Sequence, residues 1–449
     1  MTLNIRSAIA INKQNNYNNN NNKNNNNNKN VKTNSNIYEL RKKLNWCGPK
    51  HEKDALVGLD DRLCQKQFPK LFNRDFQCPS FKHIDRRTVK NMIEPSFYPP
   101  STNISNIIIN ETELNHILFS SNNNIDTTTN DFSIAIGIIQ RDPSNYDSYK
   151  IRYIGKNATD PHETWSSSKI YAGHNAGHKV NLSMYEIGKE TNVTLSDLMT
   201  IVTSYDTTKK LTSNGIGAYY HSIGGHKHAN QFIHEILGAS SMETFGGNYG
   251  EPVPSPPLEY TFTNTLYNPY HHHQIIQKII PDPTPIPPLS NTMSSITMAE
   301  WLRRIIFSRE DKNQINNEYF EWENSKNILY GAINSTYFPS LQYGGMSMSS
   351  DVYLQLGIDD KMLLNQTTDD WRIFSKLGFG YSSIRKQYEV TLNGYVCLPL
   401  HDGNGIEFVI SAKTFDKTLD NGEQVDKKMR IGIQNVVKYL INTYGGGYS

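Results

Sequence analysis

Five strand-like runs fall into two groups that the chain keeps far apart, and this split constrains the fold more than any other feature. Residues 132–140, "FSIAIGIIQ", and 149–155, "YKIRYIG", flank the turn-forming "RDPSNYDS" and read as an antiparallel hairpin. The second group, 371–376, 388–400 and 405–412, carries "WRIFSKL", "YEVTLNGYVCLPL" and "GIEFVISA". A helical pattern, "ETELNHILFSS", precedes the first group, and another, "KKMRIGIQNVVKYLINTY", follows the second. The expectation is an α+β fold. A single antiparallel five-stranded sheet is flanked by N- and C-terminal helices, and the segment between the strand groups forms an inserted, all-helical lobe. The cleft between sheet and lobe is the natural place for a ligand.

Inside the inserted segment, "TLSDLMTIVTSY", "GAYYHSIGG" and "ANQFIHEILG" read as helices, the last two closed by glycine. "TMAEWLRRIIF" reads as an amphipathic helix. The proline-rich runs at 252–257 and 281–288 cannot be regular helix, and the three histidines of "YNPYHHHQIIQKII" between them read as solvated loop residues. Residues 1–36 are dominated by asparagine, with almost no apolar surface to bury, and read as disordered. Residues 37–110 form an N-terminal extension of unknown role, with one helix expected at 37–44.

A formal charge of +2 argues against a dedicated nucleic-acid binder. No run of about 18 apolar residues is present, so no membrane span is expected. "IRSAIAI" is too short for the apolar region of a secretory signal. Sequons at Asn103, Asn110, Asn157, Asn181, Asn192, Asn334 and Asn365 carry little weight in so asparagine-rich a chain. Cys47, Cys64, Cys78 and Cys397 read as reduced thiols rather than as a disulfide framework or zinc site. The expected location is cytoplasmic.

"WSSSK" places Ser166 and Lys169 three residues apart at a helix start, where both side chains face the same way and backbone amides are open to developing negative charge. A serine needs an adjacent base to become a nucleophile, and a desolvated lysine can serve. "SIRK" at 383–386 has the same spacing, but no helix begins there. Further along, "TSNG" offers Thr212, Ser213 and Asn214 before a helix, "GEP" offers Glu251 in a loop, and "SKLGFG" places Lys376 at a strand end. Gly378 and Gly380 follow it and would let a ligand backbone come close. His174 and His178, four apart with no third ligand nearby in sequence, read as exposed helix positions.

In this order and on these elements the motifs resemble those of the serine β-lactamase and penicillin-binding-protein family, closest to the class A β-lactamases. The resemblance covers roughly 111–443, with insertions near 258–290 and 310–350. It implies that Ser166 is the acylated nucleophile, Lys169 its partner, and Asn214 a contact to the substrate amide. Either Thr212 or Ser213 would be the proton-relaying hydroxyl, with "SYD" at 204–206 a rival match for that motif. Glu251 would activate the deacylating water. Lys376 and Gly378 would form the third motif and attract an anionic substrate. The amides of Ser166 and Phe379 would form the oxyanion hole. The chain departs from the family at Leu377, where a carboxylate-binding hydroxyl is usual, and near Ser255, where an asparagine is usual.

The implied activity is that of a serine hydrolase forming an acyl-enzyme with a small amide or ester, without metal or organic cofactor. The alternatives are a glutaminase-like amidase of a small metabolite, and a catalytically inactive binding scaffold on the same fold.

Overall fold

The computed structural model describes residues 75, 77–82, 97–118, 131–188, 193–204, 212–249, 257–266, 268, 270, 274–282, 291–314, 321–332, 358, 367, 370–418 and 422–445. The asparagine-rich tract, the helix expected at 37–44, the three-histidine run and Glu251 lie outside these residues.

The central sheet has strands β1 (Phe132–Asp142), β2 (Asn145–Lys156), β3 (Arg372–Ser382), β4 (Gln387–Pro399) and β5 (Gly405–Asp416). Their order is β2-β1-β5-β4-β3, with every neighbouring pair antiparallel. The two groups of strands thus meet in one sheet through β1 and β5, where Ile136 lies opposite Ile410. Residues 132–139 are buried without interruption because both faces of the sheet are covered.

The helices are α1 (Asn115–Leu118), α2 (Lys169–Gly177), α3 (Leu195–Ser204), α4 (Ser213–Gly224), α5 (His226–Gln231), α6 (Ser295–Ile306), α7 (Ser308–Gln314), α8 (Trp322–Tyr330) and α9 (Glu423–Tyr444). On one face, α9 sends down Val425, Met429, Ile433, Val436 and Leu440, a helical spacing that buries one stripe beside Leu114 and Leu118. The other face is covered by α6 and the helical lobe. At the centre of the lobe lies α2, with all nine of its residues buried. This is the α+β arrangement expected from the divided strands, except that the inserted lobe is not all helical: His162–Glu163 pairs with Thr292–Met293, and a second small sheet lies in the same segment.

Several local expectations need correction. Helix α6 is not amphipathic in the sense of having a wet face, since all its residues are buried. Its charges are instead paired internally: Arg303 with Glu300 at 2.6 Å and Asp311 at 3.0 Å, and Arg304 with Glu300 at 2.7 Å. Strand β3 runs on through the glycines to Ser382, so Lys376 lies within the strand rather than at its end. His174 is buried, its ring accepting from Trp301 Nε1 at 3.0 Å, and His178 is partly buried against it. Cys78 and Cys397 are not thiols but a disulfide with an S–S distance of 2.07 Å. Reduced cysteines therefore no longer point to an intracellular location.

The described part of the N-terminal extension lies along the sheet. Tyr98 and Asn110 bridge to Ile151 and Ile154 of β2, covering a strand edge that would otherwise be open, and Cys78 ties the segment to β4. Within 258–290, Tyr260–Thr263 and Gln277–Ile279 form a small sheet with Tyr185–Glu186. Within 310–350, α8 packs against α2 and α3. Among the described residues no helix is long and apolar enough to cross a membrane.

Candidate active site

The stretch "WSSSK" folds as a tight 3-10 turn, Trp165–Ser168, that runs directly into α2. Its three serines are not equivalent. Ser167 Oγ donates to the Thr164 carbonyl at 2.6 Å, and Ser168 Oγ donates to the Trp165 carbonyl at 2.9 Å. Both hydroxyls are spent on the turn itself. The Ser166 hydroxyl makes no hydrogen bond among the described residues, and its residue is only partly buried. Ser166 is therefore not a helix cap.

The turn is anchored from below by β4. Thr391 Oγ1 donates to the Thr164 carbonyl at 2.8 Å, Asn393 Nδ2 to the Ser167 carbonyl at 3.0 Å, and Trp165 Nε1 to Glu389 at 2.9 Å. These three residues alternate along the strand, so they share its lobe-facing side. Burial alone would raise the Glu389 carboxyl. Hydrogen bonds from Arg385, Gln387 and Trp165 and the charge of Lys413 prevail and hold it down at about 2. A carboxylate in this state is a firm acceptor for the indole. Trp165 has φ 48, a left-handed conformation costly for a bulky residue, immediately before Ser166. Such strain costs about 1–3 kcal/mol and persists only where the surroundings impose it.

From the side, the turn rests on β3. A Cβ built on Gly378 would stand 2.8 Å from both the Ser166 and Ser167 amide nitrogens, and one on Gly380 would stand 2.3 Å from the Trp165 ring. What these glycines admit is the serine turn itself, rather than a ligand backbone. Lys376 lies one pleat before Gly378, hence on the same side of β3, opposite Asn393 of β4. Lys376 is buried and donates to the Leu377 carbonyl at 2.9 Å. Leu377 packs on the opposite core with α9. Phe379 is 47% exposed and stacks on Tyr388.

Helix α4 supplies the third wall. Thr212 is its N-cap, accepting from the Gly215 amide at 3.1 Å. The next two side chains turn to the buried Lys169, whose Nζ lies 2.9 Å from Ser213 Oγ and 2.5 Å from Asn214 Oδ1. Gly217 lets the two helices close, since a Cβ there would meet Lys169 Cγ at 3.0 Å and the Tyr249 ring at 2.8 Å. The Tyr249 ring covers the lysine, with Nζ 5.3 Å from its centroid, and its hydroxyl lies 3.4 Å from Ser168 Oγ. Burial pushes the Tyr249 phenol well up, so it stays protonated.

Ser166, Lys169, Ser213, Asn214, Gly378 and Lys376 are thus carried on three elements that converge on one turn, while Thr212 caps the neighbouring helix. Glu251 and Ser255 lie outside the described residues, as do two members of the rival 204–206 motif. Sequence reasoning missed Trp165, Tyr249, Glu389, Thr391 and Asn393. A signal for the last three was available in "YEVTLN", where polar residues recur at every second position of an apolar strand. Among the described residues no group of three His, Cys, Asp or Glu side chains could hold a metal ion.

Neither a family model nor a curated protein matches the chain. Among solved structures, it is similar to a β-lactamase from Chitinophaga pinensis, with 14% identity, 72% of this chain and 95% of that chain covered, and a TM-score of 0.38. It is also similar to the chromosome-encoded β-lactamase of Vibrio parahaemolyticus, with 10% identity, coverage of 68% and 92%, and a TM-score of 0.37. An ancestral class A β-lactamase shows 13% identity, coverage of 68% and 93%, and a TM-score of 0.37. These likenesses are distant.

Proposed function

We propose that the chain is a serine hydrolase of the β-lactamase-like kind, acting on a small amide or ester through an acyl-enzyme. The observation that carries this reading is the inequality of the three serines. Two hydroxyls are consumed by the turn, while Ser166 follows the strained Trp165 with its hydroxyl uncommitted and its amide against β3. Strain held in place by a dedicated hydrogen bond is a mark of a functional turn.

In this reading Ser166 Oγ attacks the substrate carbonyl carbon, and its proton passes to Lys169 in the neutral form. A neutral amine has two N–H groups and one lone pair. Asn214 Oδ1 can only accept, so it fixes one N–H, leaving the lone pair to take the proton of a hydroxyl. Ser213, already within hydrogen-bond distance of Nζ, carries that proton on to the leaving group. The Ser166 and Phe379 amides stabilise the tetrahedral oxygen, and water then hydrolyses the ester of Ser166. Glu251 is the residue proposed to orient that water. Lys376 supplies positive charge on the same side of β3 as the turn.

One observation favours a second reading, an inactive scaffold on the same fold. Lys169 Nζ is engaged by Ser213 and Asn214, and no hydrogen bond joins it to Ser166. Incubation with a fluorophosphonate followed by peptide mapping separates the two. A hydrolase gains mass on Ser166, and a folded scaffold gains none.

A further inference from the structure

The sequons and the buried cysteine pair belong to no part of the site. Cys78 and Cys397 are 2% and 0% exposed and lie 319 residues apart, so their bond closes inside the core between the N-terminal extension and β4. A bond so placed forms as the chain folds, by exchange with a protein disulfide that takes up the two electrons and two protons and is reduced to a dithiol. That chemistry belongs to an oxidising compartment. The same compartment in eukaryotic cells is where Asn-x-Ser/Thr sequons are read. The abundance of asparagine makes sequons frequent by chance, so the side chains themselves have to separate usable from unusable sites.

They do separate. Asn103 and Asn181 are exposed, and Asn181 Oδ1 accepts from the Ser183 amide at 2.9 Å, which leaves its nitrogen directed away from that bond. Asn157 is the opposite case. It sits at φ 45 in the loop after β2, and its Nδ2 donates to the Phe132 carbonyl at 2.9 Å, holding the start of β1. A sugar on that nitrogen would displace the strand. Asn110 is partly buried and lies between these extremes.

We propose that Asn103 and Asn181 carry N-linked glycans, and that Asn157 stays unmodified in the folded protein. In the transfer step, Asn Nδ2 attacks the anomeric carbon of an oligosaccharide carried on a lipid pyrophosphate. The C–N bond forms as the C–O bond to phosphate breaks, the amide gives up one proton, and the lipid pyrophosphate leaves.

The test uses the full chain purified from its native cells. A non-reducing peptide map is expected to recover the Cys78 and Cys397 peptides linked. Peptide-N-glycosidase in heavy-oxygen water is expected to convert Asn103 and Asn181 to labelled aspartate, with the Asn157 peptide recovered unlabelled. Ser105→Ala and Ser183→Ala are each expected to remove the mass of one glycan. Asn181→Gln, which leaves the Ser183 hydroxyl to accept from Asn327 Nδ2 at 3.3 Å, is expected to remove the same mass as Ser183→Ala. Reduced Cys78 and Cys397, unlabelled Asn103 or Asn181 peptides, or a glycan on Asn157 in folded protein would each overturn the proposal.

Discussion

Gly378 faces the Ser166 turn so closely that a Cβ on it would stand 2.8 Å from the Ser166 amide nitrogen and 2.4 Å from Thr391 Oγ1. Neither neighbour yields easily, because one is backbone and the other is held by its hydrogen bond to Thr164. Gly378→Ala is therefore expected to push the turn off β3, at about 1–3 kcal/mol as for other overpacked sites. If Ser166 is the nucleophile, as proposed, a displacement of its hydroxyl approaching about 1 Å should slow its labelling about a hundredfold. Thermal melts and labelling rates check both effects. A normal rate in the variant would mean that the strand does not set the position of Ser166.

Thr212 and Ser213 are neighbours with different tasks. Thr212→Ala removes an N-cap and should cost about 1 kcal/mol, with labelling left near the wild-type rate. Ser213→Ala removes a partner of Lys169 and, in the proposed mechanism, should slow departure of the leaving group, and so acylation of Ser166, about 10²–10⁴-fold, the range of a lost proton-transfer group. Equal effects of the two substitutions on turnover would contradict this division.

The sheet was legible because apolar runs bounded by turn residues declare strands, and two groups of strands with compatible faces can share one sheet across a long insertion. That Ser166 and Lys169 would stand at the start of one helix and Ser213 and Asn214 at the start of another was legible from the local pattern of polar residues before an apolar run. Trp165 and Tyr249 were not. Trp165 combines a left-handed φ with an indole hydrogen bond to Glu389, more than two hundred residues on, and no local pattern encodes that pairing. The Cys78–Cys397 bond was hidden for the same reason, since nothing in spacing brings an N-terminal extension against β4. Helix α6 misled because Arg303, Arg304 and Glu300 look like a wet face until their partners are known.

Stability should fall as the medium is acidified from neutrality. Burial, with His226 adding to it, pushes the His221 pKa down to about 3, and its two ring nitrogens find no hydrogen-bond partner among the described residues. The folded protein keeps this imidazole neutral, whereas the unfolded chain takes up a proton near pH 6.5. The associated stability is whole above about pH 6.5 and drains away as pH falls toward 3. His162 acts in the same direction, its pKa also lowered to about 3 by burial and then by Lys413. Glu389, held at about 2 against an ordinary 4.5, adds a later loss as pH falls below 4.5 toward 2. Urea midpoints should therefore decline from pH 7 to 4, and His221→Leu should flatten that decline. A variant with the wild-type slope would remove His221 from the account.

Residues 1–36 have too little apolar content to contribute to a core. Their removal should leave the melting temperature and Ser166 labelling unchanged. A large fall in melting temperature on truncation would show that the tract packs against the domain.

Probe chemistry offers the most direct measurement of the site. A fluorophosphonate should add mass to Ser166, and not to Ser167 or Ser168, whose hydroxyls already donate to the Thr164 and Trp165 carbonyls. Ser166→Ala should abolish the label. Lys169→Ala should slow it by about 10²–10⁴-fold, because an unassisted hydroxyl is a poor nucleophile. Substrate preference then follows from β3. Leu377 brings no hydroxyl and packs with the core on the α9 side of the sheet, so if the proposed function holds, a substrate carboxylate would meet the charge of Lys376 with no hydroxyl from residue 377 beside it. A labelled penicillin should consequently acylate Ser166 more slowly than a small uncharged ester. Efficient penicillin turnover would show that Lys376 alone suffices for carboxylate recognition. Turnover of the ester by Ser166→Ala would place the nucleophile elsewhere.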